Sequence, residues 1–191
     1  MELDNAIKTR RSIRKYACDK RGNPEKVDIE AVIEAINAAR YTPMAGNLFS
    51  VRMILVSDKE KIKKIADASQ QDFIADAAYV IVVCTDGKQT ERFYAERAER
   101  YLRQQAGAAI QTILLKITEA KLASVWVGHF YDDKIREILD IPPEIFVEAI
   151  LPVAKPASDF KLPEKRLTNL RDILYFDKWK GKPYTIKIPK V

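Results

Sequence analysis

A dense group of cations surrounds a single hydroxyl near the start of the chain. Residues 8–16 read KTRRSIRKY, in which Ser12 lies among Lys8, Arg10, Arg11, Arg14 and Lys15. A guanidinium is planar and permanently charged, with forked donors that match phosphate oxygens, and a serine hydroxyl adds a short neutral donor. These residue types favour an anion-binding site. Its ligand could be a nucleic-acid backbone, an anionic membrane or the phosphate of a small cofactor.

Positive charge is concentrated at both ends of the 191-residue chain. Residues 1–26 hold eight Lys/Arg against four Asp/Glu, and residues 161–191 hold nine against three, so the middle is net acidic within a total of +6. Nucleic-acid-binding proteins usually present a continuous basic face. Two basic ends on an acidic middle are weak support for that class, and solvated tails are the plainer alternative.

Several common active sites need residues that this chain lacks. His129 is the single histidine, which excludes HExxH and multi-histidine metal sites. A Ser-His-Asp triad could be built only with this residue. The six glycines form neither GxGxxG nor a Walker A loop. We therefore expect no metal site, and we expect an enzyme with so few polar groups to take its chemistry from a cofactor.

The composition fits one globular domain. The chain is 47% hydrophobic and 31% charged, enough for one good core. Its longest apolar stretches, such as 77–84, are far shorter than the roughly 20 residues that cross a bilayer, and no signal-peptide pattern opens it. Cys18 and Cys84 form no CxxC. We expect a cytoplasmic protein with neither a disulfide framework nor a membrane or nucleic-acid partner.

The elements that must position the cations alternate between helices and strands. Residues 23–40 open with Asn23 as a candidate cap and carry apolar residues at i, i+3, i+4 and i+7. Strands are predicted at 51–57, 79–84, 123–130 and 145–154, and further helices at 59–68, 90–121 and 132–140. This order predicts an α+β or α/β domain with one sheet covered by helices.

The chain changes character after Ala154. Residues 155–191 contain four prolines, many cations and five aromatics, with one short helix-like stretch, TNLRDILY. The segment has too little apolar periodicity for a core of its own, yet it is too aromatic for a solvated tail. We therefore expect residues 1–154 to form the domain and residues 155–191 to be an arm of it that packs along another surface, such as that of a second subunit.

Six stretches, in order, resemble the nitroreductase family of FMN-dependent oxidoreductases. They are RRSIRKY; TPMAGN; QQDFIADAAYVIVV; GAAIQTILL; ASVWVGHF; and LPVAKP followed by LPEKRLTNLRDIL. The resemblance covers essentially residues 3–175. The resemblance implies an α+β fold with a mixed sheet flanked by helices, an FMN-binding domain over 1–154, and a C-terminal arm wrapped around the partner of a homodimer.

The resemblance also implies an NAD(P)H-dependent nitroreductase or flavin oxidoreductase. FMN would carry the chemistry, with ping-pong hydride transfer from NAD(P)H through flavin N5 to a small-molecule acceptor such as a nitroaromatic or quinone. Relatives with the same flavin fold dehalogenate substrates, cleave flavin or act as oxidases, and these activities stay open as alternatives. The remaining alternative is a basic module that binds nucleic acid or another partner.

The family places cations at the FMN phosphate and at the N1/C2 edge of the flavin. The matching residues here are Arg10, Arg11, Ser12, Arg14, Lys165 and Arg166. Positive charge near N1 stabilises the negative charge of a reduced flavin.

The resemblance assigns the ring contacts to three further places. A loop with Pro43 and Asn47 reaches the flavin from the other subunit, and Gln70, or else Gln71, bonds the pyrimidine edge. The backbone of Val127, Gly128 and His129 lies behind the ring. The His129 imidazole is either a catalytic acid or a space-filling group, and Gly128 either permits close approach or ends a strand.

Two motifs depart from the family pattern. Where relatives continue as Asn-x-Gln-Pro-Trp, this chain has Phe49, Ser50 and Val51, and AILPVA lacks the glycine of Gly-x-Pro. These departures bear on the substrate pocket rather than on FMN. The aromatic residues Phe93, Tyr94 and Tyr101 either line that pocket or belong to the core.

Overall fold

This computed structural model describes residues 2–181, which contain six α-helices, four strands and five short 3-10 helices. The strands are β1 (Val51–Val56), β2 (Tyr79–Asp86), β3 (Ala123–Ser124) and β4 (Ile145–Ala154). The helices are α1 (Leu3–Thr9), α2 (Ile29–Ala38), α3 (Lys59–Ser69), α4 (Lys88–Tyr94), α5 (Ala98–Glu119) and α6 (Asp132–Leu139). None of these helices combines the length and the apolar character that a membrane span needs.

The four strands form one sheet in the order β1-β2-β4-β3. The predicted α+β fold is confirmed. The prediction of a mixed sheet is wrong for the described strands, because all three pairings are antiparallel. Strand β2 is central and pairs with both β1 and β4.

Helices cover both faces of the sheet. Alternate residues of β2 point to opposite faces, and residues 80–84 are all at most 1% exposed. One face packs against α3 and α6, where Ile65 and Ile135 are fully buried, and the other packs against α2 and α5, where Val32 and Ile113 are. Burying a side chain of this kind stabilises the fold by about 1.5–3 kcal/mol. The apolar run of β2 therefore forms the centre of a three-layer core.

Helix α2 begins later than the sequence pattern predicted. Its N-cap is Asp28, whose carboxylate accepts a hydrogen bond from the Glu30 N–H at 3.1 Å. Asn23 belongs instead to a turn, in which Asp19 Oδ1 accepts from the Asn23 N–H at 2.9 Å. The predicted cap at Asn23 is therefore wrong, because this residue is held by the turn, five residues before the actual N-cap Asp28.

The predicted helix over 90–121 is interrupted between α4 and α5. Ala95 lies in the break at φ 43°. In an unbroken helix, residues 94 and 101 would be about 10 Å apart along the axis, since each residue rises about 1.5 Å. The break brings the ring centroids of Tyr94 and Tyr101 to 4.9 Å in an edge-on contact. Such a contact contributes about 0.5–1.5 kcal/mol and offsets part of the strain at Ala95.

The predicted strand over 123–130 is reduced to the two residues of β3. Val127 still exchanges two hydrogen bonds with Ile150, each 3.0 Å long, in the register of the β3–β4 pair. In that register Val125 lies opposite Pro152, at a position where antiparallel strands exchange hydrogen bonds. Because proline has no N–H, the ladder is interrupted there.

Candidate functional site

Residues 10–15 form an extended segment that leads from α1 to the sheet. The Ile13 N–H donates to the Ser124 carbonyl at 3.0 Å, which ties the segment to β3. Successive side chains of an extended chain point to opposite sides. Arg10, Arg11 and Ile13 are half-buried, whereas Ser12, Arg14 and Lys15 are exposed. The cations of the segment thus differ in how far they are exposed.

Arg11 uses its guanidinium within the protein. Nη1 donates to the carbonyls of Lys8 and Arg10 at 2.7 and 3.0 Å, and Nε donates to the Pro163 carbonyl at 2.9 Å. Pro163 lies 152 residues further along the chain, in the predicted arm. The structure therefore brings the amino-terminal cluster and the arm together at this contact.

Backbone bonds hold the start of the arm against the same segment. The Ala17 N–H donates to the Lys155 carbonyl at 2.9 Å, and the Ala157 N–H donates to the Lys15 carbonyl at 3.1 Å. The Lys15 ammonium also forms an ion pair with Asp159. The beginning of the arm is thus fixed on its own chain, whereas the predicted arm residues 182–191 lie outside the described residues.

Four of the predicted phosphate ligands keep their side chains free. Within residues 2–181, no hydrogen bond or ion pair occupies the side chains of Arg10, Ser12, Lys165 or Arg166. Lys165 and Arg166 follow Pro163 by two and three residues, and two residues of extended chain span at most about 7 Å. These groups are available to an anion near the Arg11 contact.

Phe73 connects the cation segment to the second group of predicted residues. The guanidinium carbon of Arg14 lies 6.0 Å from the centroid of the Phe73 ring, at the limit of a cation–π contact. The Tyr16 ring meets the same ring edge-on at 6.1 Å. Burial raises the pKa of the Tyr16 hydroxyl well above its usual value, although Arg14 opposes the shift. Tyr16 is therefore a neutral packing group, three residues from Ile13 and next to Phe73.

Gln70 and His129 contact each other. His129 Nε2 lies 3.3 Å from Gln70 Oε1, and both side chains are exposed. Gln70 follows the last residue of α3 in a left-handed conformation, φ 53° and ψ 38°, which residues with a side chain seldom adopt. The imidazole does not fill space in the core, because it is exposed and contacts the amide of Gln70. Gln71, the alternative to Gln70, is half-buried.

The loop that carries Gly128 and His129 is fixed at both ends. Val127 is bonded to Ile150, and the Tyr131 N–H donates to the Ala68 carbonyl at 2.9 Å. Because the Val127 N–H is committed to Ile150, the backbone donors left in the loop are those of Gly128, His129 and Phe130, which have no partner in the described part of the chain. A Cβ added at Gly128 would meet nothing within 4 Å, so the loop faces open space.

The loop with Pro43 and Asn47 requires its glycine. Gly46 and Asn47 both have φ of 58°, and a Cβ added at Gly46 would collide with the Tyr94 hydroxyl. Pro43 and Asn47 are exposed. Within residues 2–181, no hydrogen bond, ion pair or ring contact joins this loop to the cation segment or to Gln70. Within one chain, therefore, contacts of these kinds do not connect the 43–47 loop to the other predicted flavin-binding residues.

A buried polar cluster beside this loop was missed in the sequence. The oxygens Ser50 Oγ and Thr90 Oγ1 are 2.7 Å apart, and the Ser50 N–H donates to Gln105 Oε1 at 3.4 Å. All three residues are at most 4% exposed, and Gln105 Nε2 has no partner among the described residues. Ser50 stands where the family has a proline, which offers neither donor. This departure from the family pattern was the sequence feature that could have indicated the buried cluster.

The second missed group is a buried carboxylate in β4. Glu148 accepts hydrogen bonds from Thr85 Oγ1 and from Arg103 Nη1, both at 2.6 Å, and its side chain is 7% exposed. The hydrogen bond with Glu148 raises the pKa of Arg103. The β2–β4 register shifts at this point, so Glu148 is the extra residue of a β-bulge. The sequence feature that could have indicated this site is a single carboxylate near the middle of the largely apolar stretch 145–154.

The chain matches a family model and two curated relatives along most of its length. The model of the nitroreductase family matches residues 7–73 and 66–155. An Archaeoglobus fulgidus protein with the provisional name NADH dehydrogenase/NAD(P)H nitroreductase is 32% identical over 180 residues, 91% of this chain and 96% of that protein. A Methanothermobacter thermautotrophicus protein with the same provisional name is 30% identical over 184 residues, 94% of this chain and 88% of that protein. The chain belongs to the nitroreductase family.

A solved structure gives the same fold. The FMN-dependent nitroreductase from Clostridium difficile R20291 superposes with a TM-score of 0.74 at 24% identity, covering 91% of this chain and 98% of that chain. At this identity the likeness establishes the nitroreductase fold. With the family and the names of its relatives, the chain is an oxidoreductase, as the sequence predicted.

Proposed function

We propose that this enzyme uses FMN to take electrons from NAD(P)H and to pass them to a small-molecule acceptor such as a nitroaromatic or a quinone. The names of the two relatives support the electron donor, and the C. difficile neighbour supports the cofactor. The observation that carries the proposal is the contact between Arg11 and Pro163, because it brings both basic ends of the chain to one place.

The free donors suit the FMN phosphate. Arg10 and Arg14 offer guanidinium donors, Ser12 offers a hydroxyl, and Lys165 and Arg166 add charge from the arm. Hydrogen bonds between charged donors and phosphate oxygens contribute about 1.5–3 kcal/mol each. Arg11 was also predicted to hold the phosphate. We leave it out of this set, because three of the five N–H groups of its guanidinium already donate to carbonyls.

The second group of residues suits a flat heterocycle. FMN, when bound, supplies the redox chemistry of the reaction. The Gln70 amide would bond the edge of the ring, and the free N–H groups of Gly128 and His129 offer donors at the open side of the loop. Positive charge from Lys165 and Arg166 stabilises negative charge on the edge that it faces. The chain therefore orients the group and neutralises charge, and no side chain needs to act as a catalyst.

We propose that a second copy of the chain completes the site in a homodimer. Within residues 2–181, no hydrogen bond, ion pair or ring contact joins the loop over 43–47 to the cation segment or to Gln70, as expected if the loop serves the partner. Ile29 and Ile33 of α2 are 43% and 50% exposed, and Leu3 and Ile7 of α1 are 65% and 47% exposed. Apolar helix faces of this kind indicate a surface that another protein covers.

Anaerobic stopped-flow turnover of the FMN-loaded protein tests the proposed reaction. We expect NADH or NADPH to bleach the flavin absorbance in one half-reaction, and a nitroaromatic or quinone to restore it in the second. If neither nicotinamide bleaches the flavin, the proposal is wrong. If a haloaromatic is the sole acceptor, the dehalogenase alternative replaces it. A colourless protein whose DNA affinity falls steeply with salt would be the basic binding module.

A further inference from the structure

The Arg11 guanidinium lies where α1, the extended segment and the arm meet. On one side it bonds the carbonyls of Lys8 and Arg10 at the end of α1. Carbonyls in the last turn of a helix lack intrahelical partners and carry the negative end of its dipole, so they are good acceptors for a cation. On the other side the guanidinium bonds Pro163. One planar group therefore joins a helix end to the arm.

The arm has little else to hold it at this point. Residues 161–168 are all exposed and belong to no helix or strand. Segments without buried side chains open at a low cost in free energy. A hydrogen bond from a charged, half-buried donor therefore has a large influence on where this segment lies.

The charges of the cluster oppose its assembly. Arg10, Arg14, Lys165 and Arg166 repel one another when they are close together, so a contact that holds the arm in place has to offset this repulsion. Arg11 is bonded to carbonyls and not to carboxylates. It can hold the arm while the positive charge of the cluster stays available to an anion.

We propose that Arg11 is a positioning residue: it holds Pro163, and through Pro163 it places Lys165 and Arg166 beside Arg10 and Ser12 as one anion site. The identity of the anion as the FMN phosphate rests on the function proposed above. A lysine is a poor substitute, because its ammonium is a compact point charge without the planar fork that reaches carbonyls on both sides.

Limited trypsin digestion of the FMN-free protein tests the link to the arm. Cleavage after Lys165 and Arg166, followed by mass spectrometry, reports how often the segment opens. We expect Arg11→Gln and Arg11→Lys to be cut about tenfold faster there than the wild type. Lys20→Gln is the matched control, since it removes one cation near the same segment and its side chain has no hydrogen bond or ion pair within residues 2–181. Equal cleavage of Arg11→Gln and the wild type would overturn the proposal.

A double-mutant cycle tests whether Arg11 acts through the arm. We expect Arg11→Gln to weaken FMN binding about tenfold in a fluorescence titration. In a background that carries Lys165→Gln and Arg166→Gln, the same change should alter the affinity by no more than about twofold. A full tenfold effect in that background would show that Arg11 binds the phosphate directly and would overturn the positioning role. If arm cleavage accelerates but the wild type binds no FMN, the link to Pro163 stands and the FMN site is refuted.

Discussion

His129 Nε2 lies 3.3 Å from Gln70 Oε1, a contact that joins the loop after β3 to the end of α3. An imidazole protonated at Nε2 donates to this oxygen, and the NH2 group of the amide is then turned outward. The other neutral tautomer reverses the amide, because its Nε2 accepts. The tautomer of the single histidine thus decides whether Gln70 offers a ligand a donor or an acceptor.

We expect His129→Phe to weaken FMN binding about threefold to tenfold, because the ring volume is kept but the bond that orients Gln70 is lost. The measurement is a flavin fluorescence titration, with thermal unfolding as the check on the fold. In a Gln70→Ala background the same change should have almost no effect. The nitrogen NMR spectrum of the wild type, which contains one histidine, should show a proton on Nε2. Unchanged affinity in His129→Phe would refute this role.

Alkaline pH should destabilise the protein partly through Cys84. Burial, with a smaller contribution from Glu148, raises the pKa of this thiol from 9.0 to about 11. The folded state therefore keeps the proton that the unfolded state loses, so this stabilisation is complete below pH 9 and is lost as the pH rises through 11. Between those values the free energy of unfolding should fall by about 2 kcal/mol more than in Cys84→Val. Urea unfolding from pH 8 to 11 measures the difference, and parallel curves for the two proteins would contradict it.

The buried pair of Ser50 and Thr90 should behave as a coupled unit. Ser50→Ala or Thr90→Val alone leaves the partner hydroxyl buried and unpaired, which costs about 1–3 kcal/mol. The double variant removes both hydroxyls and should cost clearly less than the sum of the two single changes. Urea unfolding of the four proteins gives the coupling energy. Additive effects would mean that the contact of 2.7 Å contributes nothing.

The sheet was largely predictable, and the breaks in regular structure were not. Long apolar runs identified β2 and β4, because a strand that is buried on both faces is apolar at nearly every position and not only at alternate ones. The break at Ala95 depends on the contact between Tyr94 and Tyr101, which forms only after the chain has turned. The interruption opposite Pro152 depends on a register that pairs residues far apart in sequence.

The candidate site shows the same limit at the level of single residues. The cation cluster and the basic arm could be recognised by residue type, and the resemblance predicted that they converge. Residue type could not distinguish Arg11 from the neighbouring arginines, because the distinction lies in its hydrogen bonds to carbonyls, one of them 152 residues away in the sequence. Nothing in the residue types of Ser50 and Glu148 shows that their side chains are buried and hydrogen-bonded in the folded chain.

The central claim is that both basic ends of the chain hold one FMN, and an FMN titration of Arg10→Ala combined with Arg166→Ala tests it most directly. Each change removes a charged donor worth about 1.5–3 kcal/mol, so the double variant should bind FMN at least a hundredfold more weakly, by about 3 kcal/mol or more. Lys20→Ala, which removes a cation without a hydrogen bond or ion pair among the described residues, serves as the control and should bind like the wild type. The wild type should emerge from gel filtration yellow, with one FMN per chain, and the double variant colourless. A double variant that stays fully loaded would contradict the claim.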